Sequence, residues 1–172
     1  MKKLLFGLSI LCANLPATAQ NPAPNDENVY TQDNVELIAV FAKVHALYNM
    51  AAREYSEIEE LLSDAIHRYL NLYQKLDAHT QSRDATIKAQ AATLQKEADE
   101  IDGSIVSMLE KVAKVDALMT TFNALVKQGA DLAPLVKILT DSVGILTEVK
   151  RDIEIVSQRT AKLDDEIDSL IK

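Results

Sequence analysis

The side chains best able to do chemistry in this sequence are carboxylates. Glu54, Glu57, Glu59, Glu60 and Asp64 form one run, and Glu97, Asp99, Glu100 and Asp102 form a second beside Gly103. Oxygen ligands gathered this densely attract calcium where they converge on one point. The spacing is not that of an EF-hand loop, however, and both runs fall in helical patterning rather than in a flexible loop. Glu57, Glu60, Asp64, Glu97 and Glu100 therefore form a candidate acidic belt: a solvated face by its charge pattern, or a cation site if the runs meet. A chain reversal near residue 80 would bring the two runs to one level. Arg53, Arg68, Lys96, Arg159 and Lys162 would offset part of their charge.

Other catalytic groups are sparse. His45, His67 and His79 are far apart and make neither an HxxxH nor an HExxH pair, and Cys12 is the only cysteine, which leaves no zinc–thiolate site. Beyond Gly7 the glycines are Gly103, Gly129 and Gly144, too dispersed for a phosphate loop or a nucleophile elbow. Tyr48, Tyr55 and Tyr69 share one helical row, where packing accounts for them better than an adhesive aromatic stripe. The expectation is a protein with no enzyme activity, no metal and no cofactor.

The N-terminus has the form of a secretory leader. Lys2 and Lys3 precede the apolar stretch from Leu4 to Leu11, and Ala17-Thr18-Ala19 gives a small-x-small cleavage site before Gln20. Residues 1–19 are thus expected to be a signal peptide, cleaved near Ala19, with the product in the periplasm, at the cell surface or outside the cell. The bulky Leu11 ahead of Cys12 argues against a lipoprotein. Loss of Lys2 and Lys3 takes the formal charge from −8 to −10. An acidic chain without a basic patch speaks against nucleic acid and anionic lipid as partners. No uninterrupted apolar run approaches the ~20 residues of a bilayer crossing, so no stable membrane span is expected.

Residues 20–31 are rich in Asn and Pro and read as a flexible lead-in. After them, apolar residues recur at alternating steps of four and three in three segments. The first runs from Leu37 to Leu76, the second from Ile87 to Val126 and the third from Leu135 to Leu170, with Ser142 and Thr160 the polar exceptions. Steps averaging 3.5 residues keep a seam on one side of a helix. The pattern predicts an all-α fold, an elongated antiparallel up-down-up three-helix bundle. Its helices are expected at about 32–78, 82–128 and 132–171, although a hairpin that donates its third helix to another subunit fits the same pattern. Thr31 or Asp33 can cap the first helix and Thr80 or Ser82 the second, with Gly129 ending the second and Asp131 capping the third.

Apolar residues beyond the seams concentrate in Ile38, Val40, Leu47, Leu118, Leu125, Val136, Ile138, Val143 and Ile145. An up-down-up chain brings all nine to one end. They form a wider core there, or else a docking surface for self-association.

The leader ending Ala17-Thr18-Ala19-Gln20, the short lead-in and the long heptad helices resemble the TrbJ-like minor pilus-tip subunits of bacterial type IV secretion systems. The resemblance covers the chain's architecture, and no counterpart is visible to the globular appendage of some members. It implies a secreted structural or adhesive subunit acting through protein–protein contacts, with itself or with other secretion-apparatus subunits. The alternatives are a periplasmic helical scaffold or chaperone-like binding protein and, third, a helical membrane-active toxin.

Overall fold

The computed structural model describes residues 32–170, with side chains from residue 35 onward. The expected leader, its cleavage site, Cys12 and the lead-in lie outside the described residues. Three α-helices make up the described chain: α1 (Gln32–Thr80), α2 (Ala85–Lys127) and α3 (Leu132–Ser169). They pack on one another as an all-α three-helix bundle, without strands among the described residues.

Local chemistry explains the helix ends. Asp33 lies inside α1 rather than ahead of it. The cap of α2 is Asp84, not Thr80 or Ser82. Its Oδ1 accepts from the backbone N–H of Thr86 at 2.8 Å and of Ile87 at 3.2 Å, while Ser82 Oγ accepts from the Asp84 N–H at 3.2 Å. A carboxylate there satisfies two orphan donors and suits the helix dipole, so α2 starts at Ala85. At the other end of α2, Gly129 is left-handed at φ 66°. The Ala130 N–H donates to Leu125 O at 3.0 Å and the Gly129 N–H to Val126 O at 3.2 Å, the paired bonds of a Schellman motif. α3 begins directly after Asp131, and Pro134 sits in its first turn, where a missing N–H leaves no gap.

Packing divides the chain into two compact units, each built from a piece of all three helices. The first holds residues 32–56 and 113–146, the second 57–112 and 147–170. In the first, Tyr48 stacks obliquely on Phe122 at 5.7 Å, and Tyr55 Oη donates to Asp116 Oδ1 at 3.0 Å. Rising numbers on α1 meet falling numbers on α2, so these two helices are antiparallel. In the second unit Lys111 meets Asp152 at 2.7 Å while Arg159 meets Glu100 at 2.8 Å, which makes α2 and α3 antiparallel. There, too, Glu57 pairs with Lys150, and Asp164 with Lys75, so α1 and α3 run the same way.

Among the described residues every buried side chain belongs to a seam, Ser142 and Thr160 included. The seam residues left outside the core are Leu37, Phe41, Ile87, Leu94, Val112 and Leu170. Burying a large aliphatic chain is worth about 1.5–3 kcal/mol, so the seams supply the driving force that holds the helices together.

Candidate functional site: apolar and acidic surfaces of the bundle

The nine apolar residues expected at one end all fall in the first unit. Eight of them are half-buried: Val40, Leu47, Leu118, Leu125, Val136, Ile138, Val143 and Ile145. Each lies one position to the side of a seam residue. They act as shoulders of the core, covering the grooves where helices meet. Only Ile38, 47 % exposed, stands clear of the protein. Gly144 is open, with no atom within 4 Å of the place a Cβ would occupy.

Ile38 has different company. Val35, Leu37 and Met50 are also exposed, and all four lie on α1. Leu37 occupies a seam position yet is 39 % exposed. Its partners have run out: the pairings of Tyr48 with Phe122 and Tyr55 with Asp116 place Leu37 opposite about residue 133, past the last residue of α2. The first three turns or so of α1 therefore project beyond α2. Among the described residues, α1 also contains an 18-residue stretch with mean hydropathy 1.3 and at most two charged groups, of which only 17 % is buried. By length and composition that stretch is long and apolar enough to cross a membrane. The expectation of no span counted uninterrupted apolar residues and so stopped at Glu36 and Lys43.

The second unit has its own exposed apolar set. Leu70 and Tyr73 on α1, with half-buried Ile66, keep the 4-3 spacing along one flank of the seam. Val106 and Leu109 on α2 continue the row that starts at Asp102. The two rows flank the same groove. Tyr73 packs against Tyr69 at 6.0 Å, and the Tyr69 phenol feels Asp102 and Asp99 from α2. Burial above all, then Asp102, Tyr73 and Asp99, pushes the Tyr69 pKa up to about 12.

The acidic belt does not gather. With Tyr69 beside Asp99 and Asp102, Glu97 and Glu100 lie level with about residues 70–73 of α1, while Glu60 and Asp64 lie some nine residues away. At 1.5 Å per residue that is about 13 Å along the helix. The two runs therefore miss each other, because α2 starts at Ala85 and the chain does not mirror about residue 80. Partners also differ: Glu57 takes Lys150 at 2.7 Å, Asp64 takes Arg68 at 2.8 Å and Glu100 takes Arg159 at 2.8 Å, while Glu60 is exposed and Glu97 half-buried. Among the described residues no three His, Cys, Asp or Glu are grouped so as to hold a metal ion. The basic groups are held as firmly. Hydrogen bonds from Lys75 to Asp164 and Asp168 raise its pKa, and a bond to Asp152 does the same for Lys111.

Nothing in the apolar pattern pointed to a cavity of about 490 Å³ in the second unit, lined by Gly103, Ser104 and Ser107 of α2 and Ile155, Val156 and Arg159 of α3. The signal was the small trio on α2, which leaves the groove unfilled. No histidine lines it, and Ser104 Oγ donates back to Glu100 O at 3.0 Å. Its lining carboxylates, Glu100 and Asp152, are tied to Arg159 and Lys111. Such a groove has no activated nucleophile and no free base. Comparison with protein families, with curated proteins and with solved structures gives no match to this chain.

Proposed function

We propose that this protein is an exported structural or adhesive subunit that works through protein–protein contacts, of the kind that forms the pilus tip of type IV secretion systems. One observation carries the contact surface: in the second unit, Leu70, Tyr73, Val106 and Leu109 lie exposed along the two flanks of one groove. Large apolar side chains set in a row, rimmed by Asp99 and Asp102, differ from the scattered exposed residues of an ordinary surface. Rows at 4-3 spacing accept the ridges of another helix, which suits side-by-side packing of subunits. The leader and the heptad architecture support the secretion-system assignment.

The test is mass by light scattering on residues 20–172, the chain without its leader. The expected result is an oligomer that reverts to monomer when Leu70→Glu and Val106→Glu are combined. Both side chains are exposed, so helicity by circular dichroism should stay unchanged. A wild-type protein that is monomeric at every accessible concentration would refute the proposal, and so would an oligomer indifferent to the double substitution.

A further inference from the structure

The groove between α1 and α2 in the second unit is apolar at its centre and acidic in its charge. Tyr69 beside Asp99 and Asp102 sets Asp102 level with about residue 68 of α1, between Ile66 and Leu70. Asp99 follows about 5 Å further along. Glu59 is exposed and lies one heptad before Ile66 on the same flank. From Glu59 to Asp77 on α1 and from Asp99 to Leu109 on α2, the two rows contain no basic residue. Asp99 accepts a hydrogen bond from Gln95 at 3.0 Å, and neither it nor Asp102 meets a cation among the described residues. Two such grooves laid face to face on their apolar centres would set Asp102 against Asp102, which like-charge repulsion opposes. The groove suits a different surface, one that is basic around an apolar point.

α3 carries that surface in the same unit. Arg151, Ile155, Gln158 and Lys162 follow one another at 4-3-4 spacing, so they share one stripe, and all four are exposed. Ile155, 49 % exposed, is the one large apolar side chain left exposed among the described residues of α3. Arg151 meets Asp152 at 3.7 Å and Lys162 meets Glu166 at 3.2 Å, surface pairs within one helix that are readily exchanged. Glu148 and Asp165 enter the stripe only beyond its two ends. α3 contributes nothing to the α1–α2 groove, so stripe and groove are open to neighbours at the same time.

We infer that this stripe is the groove's occupant: α3 of a second copy lies between α1 and α2 of the first. The inference rests on the reading of the groove as the assembly surface and names its partner. With Ile155 seated between Leu70 and Val106, at about the level of residue 67, Arg151 stands about 6 Å away, at the level of Asp99. Lys162 stands about 10 Å away on the other side, at the level of Glu59. Both matches hold when the incoming α3 runs antiparallel to the α1 that receives it. Stripe and groove are different surfaces, so the contact is heterologous, and its repetition builds a row or a ring.

Mixing two blocked proteins tests this, read by light scattering on residues 20–172. Ile155→Glu removes the apolar point of the stripe, and Leu70→Glu with Val106→Glu blocks the groove. All three side chains are exposed, so circular dichroism should show both variants folded. Each is expected to be monomeric alone, and an equimolar mixture to give a one-to-one dimer that grows no further. Arg151→Glu should weaken wild-type assembly by about tenfold or more, and Asp99→Arg in the same chain should restore most of it. Assembly of Ile155→Glu at wild-type strength would overturn the inference and leave the groove's role standing, since the groove would then close on something other than α3. A mixture that stays monomeric would overturn it as well. A wild-type chain that is monomeric throughout would instead refute the assembly reading, and the inference with it.

Discussion

Thr160 offers the sharpest check on how this bundle is held together. It occupies a seam position of α3, is 4 % exposed, and its Oγ1 is buried without a hydrogen-bond partner. Valine has the same branched outline, so Thr160→Val removes the hydroxyl without opening a cavity. Both residues are stiff at χ1 and have similar helix propensity, so side-chain entropy and backbone preference nearly cancel. What remains is the cost of a hydroxyl that loses water on folding and gains nothing in return, about 1–3 kcal/mol. The variant should be more stable by that amount. The natural control is Ser142→Ala. Ser142 is equally buried, but its hydroxyl donates to Ile138 O at 2.8 Å, so its removal should change stability by less than about 1 kcal/mol. Urea unfolding followed by circular dichroism reads both. With slopes of about 1–3 kcal/mol per molar, Thr160→Val should raise the midpoint by roughly 1 M at constant slope. A midpoint that falls, or that moves no more than in Ser142→Ala, would mean the hydroxyl is satisfied and the reasoning is wrong.

Alkaline pH should weaken the second unit through Tyr69. Its folded pKa of about 12 exceeds the 10.0 of an ordinary tyrosine phenol, so the neutral phenol stabilises the fold fully below pH 10 and the contribution is lost as pH rises through 12. Tyr69→Phe should flatten the fall in urea midpoint between pH 8 and 11, and an unchanged slope would refute the assignment. Lys75 and Lys111, whose pKa values are also raised, lose their stabilising charge in the same direction and set the residual slope. Gly129→Ala should cost about 1–2 kcal/mol, since φ 66° is left-handed and a Cβ there meets no atom within 4 Å, which makes the cost purely conformational. Its thermal midpoint should fall, with Gly129→Asn falling less; equal midpoints for Gly129, Ala and Asn would contradict the left-handed end of α2.

The core was legible because it depends on a single periodic property. A seam needs only apolar side chains at 3.5-residue spacing, and among the described residues no buried one lies off that spacing. Surfaces obey no such rule. Val143 and Ile145 look like a docking face in the sequence, yet their helix neighbours half-cover them. Whether a flanking residue is a shoulder or a free surface depends on where the partner helix ends. That in turn depends on a cap: Asp84 rather than Ser82 starts α2, which shifts the level of every residue facing α1. The displacement separated the two acidic runs. The alternation of apolar residues fixes which side of a helix is inside, while a single hydrogen-bonded turn fixes what stands opposite what.

The same displacement is what exposes the tip of α1. Had α2 run two turns further, Leu37 and Phe41 would be covered like Val44, and the apolar residues around them would be shoulders like Val40. Evolution could have closed that end with a longer α2 or with polar residues on α1 at no cost to the seams, because the core from Val44 to Leu76 is complete without them. Val35, Leu37 and Ile38, left exposed at that level, add nothing to the buried core.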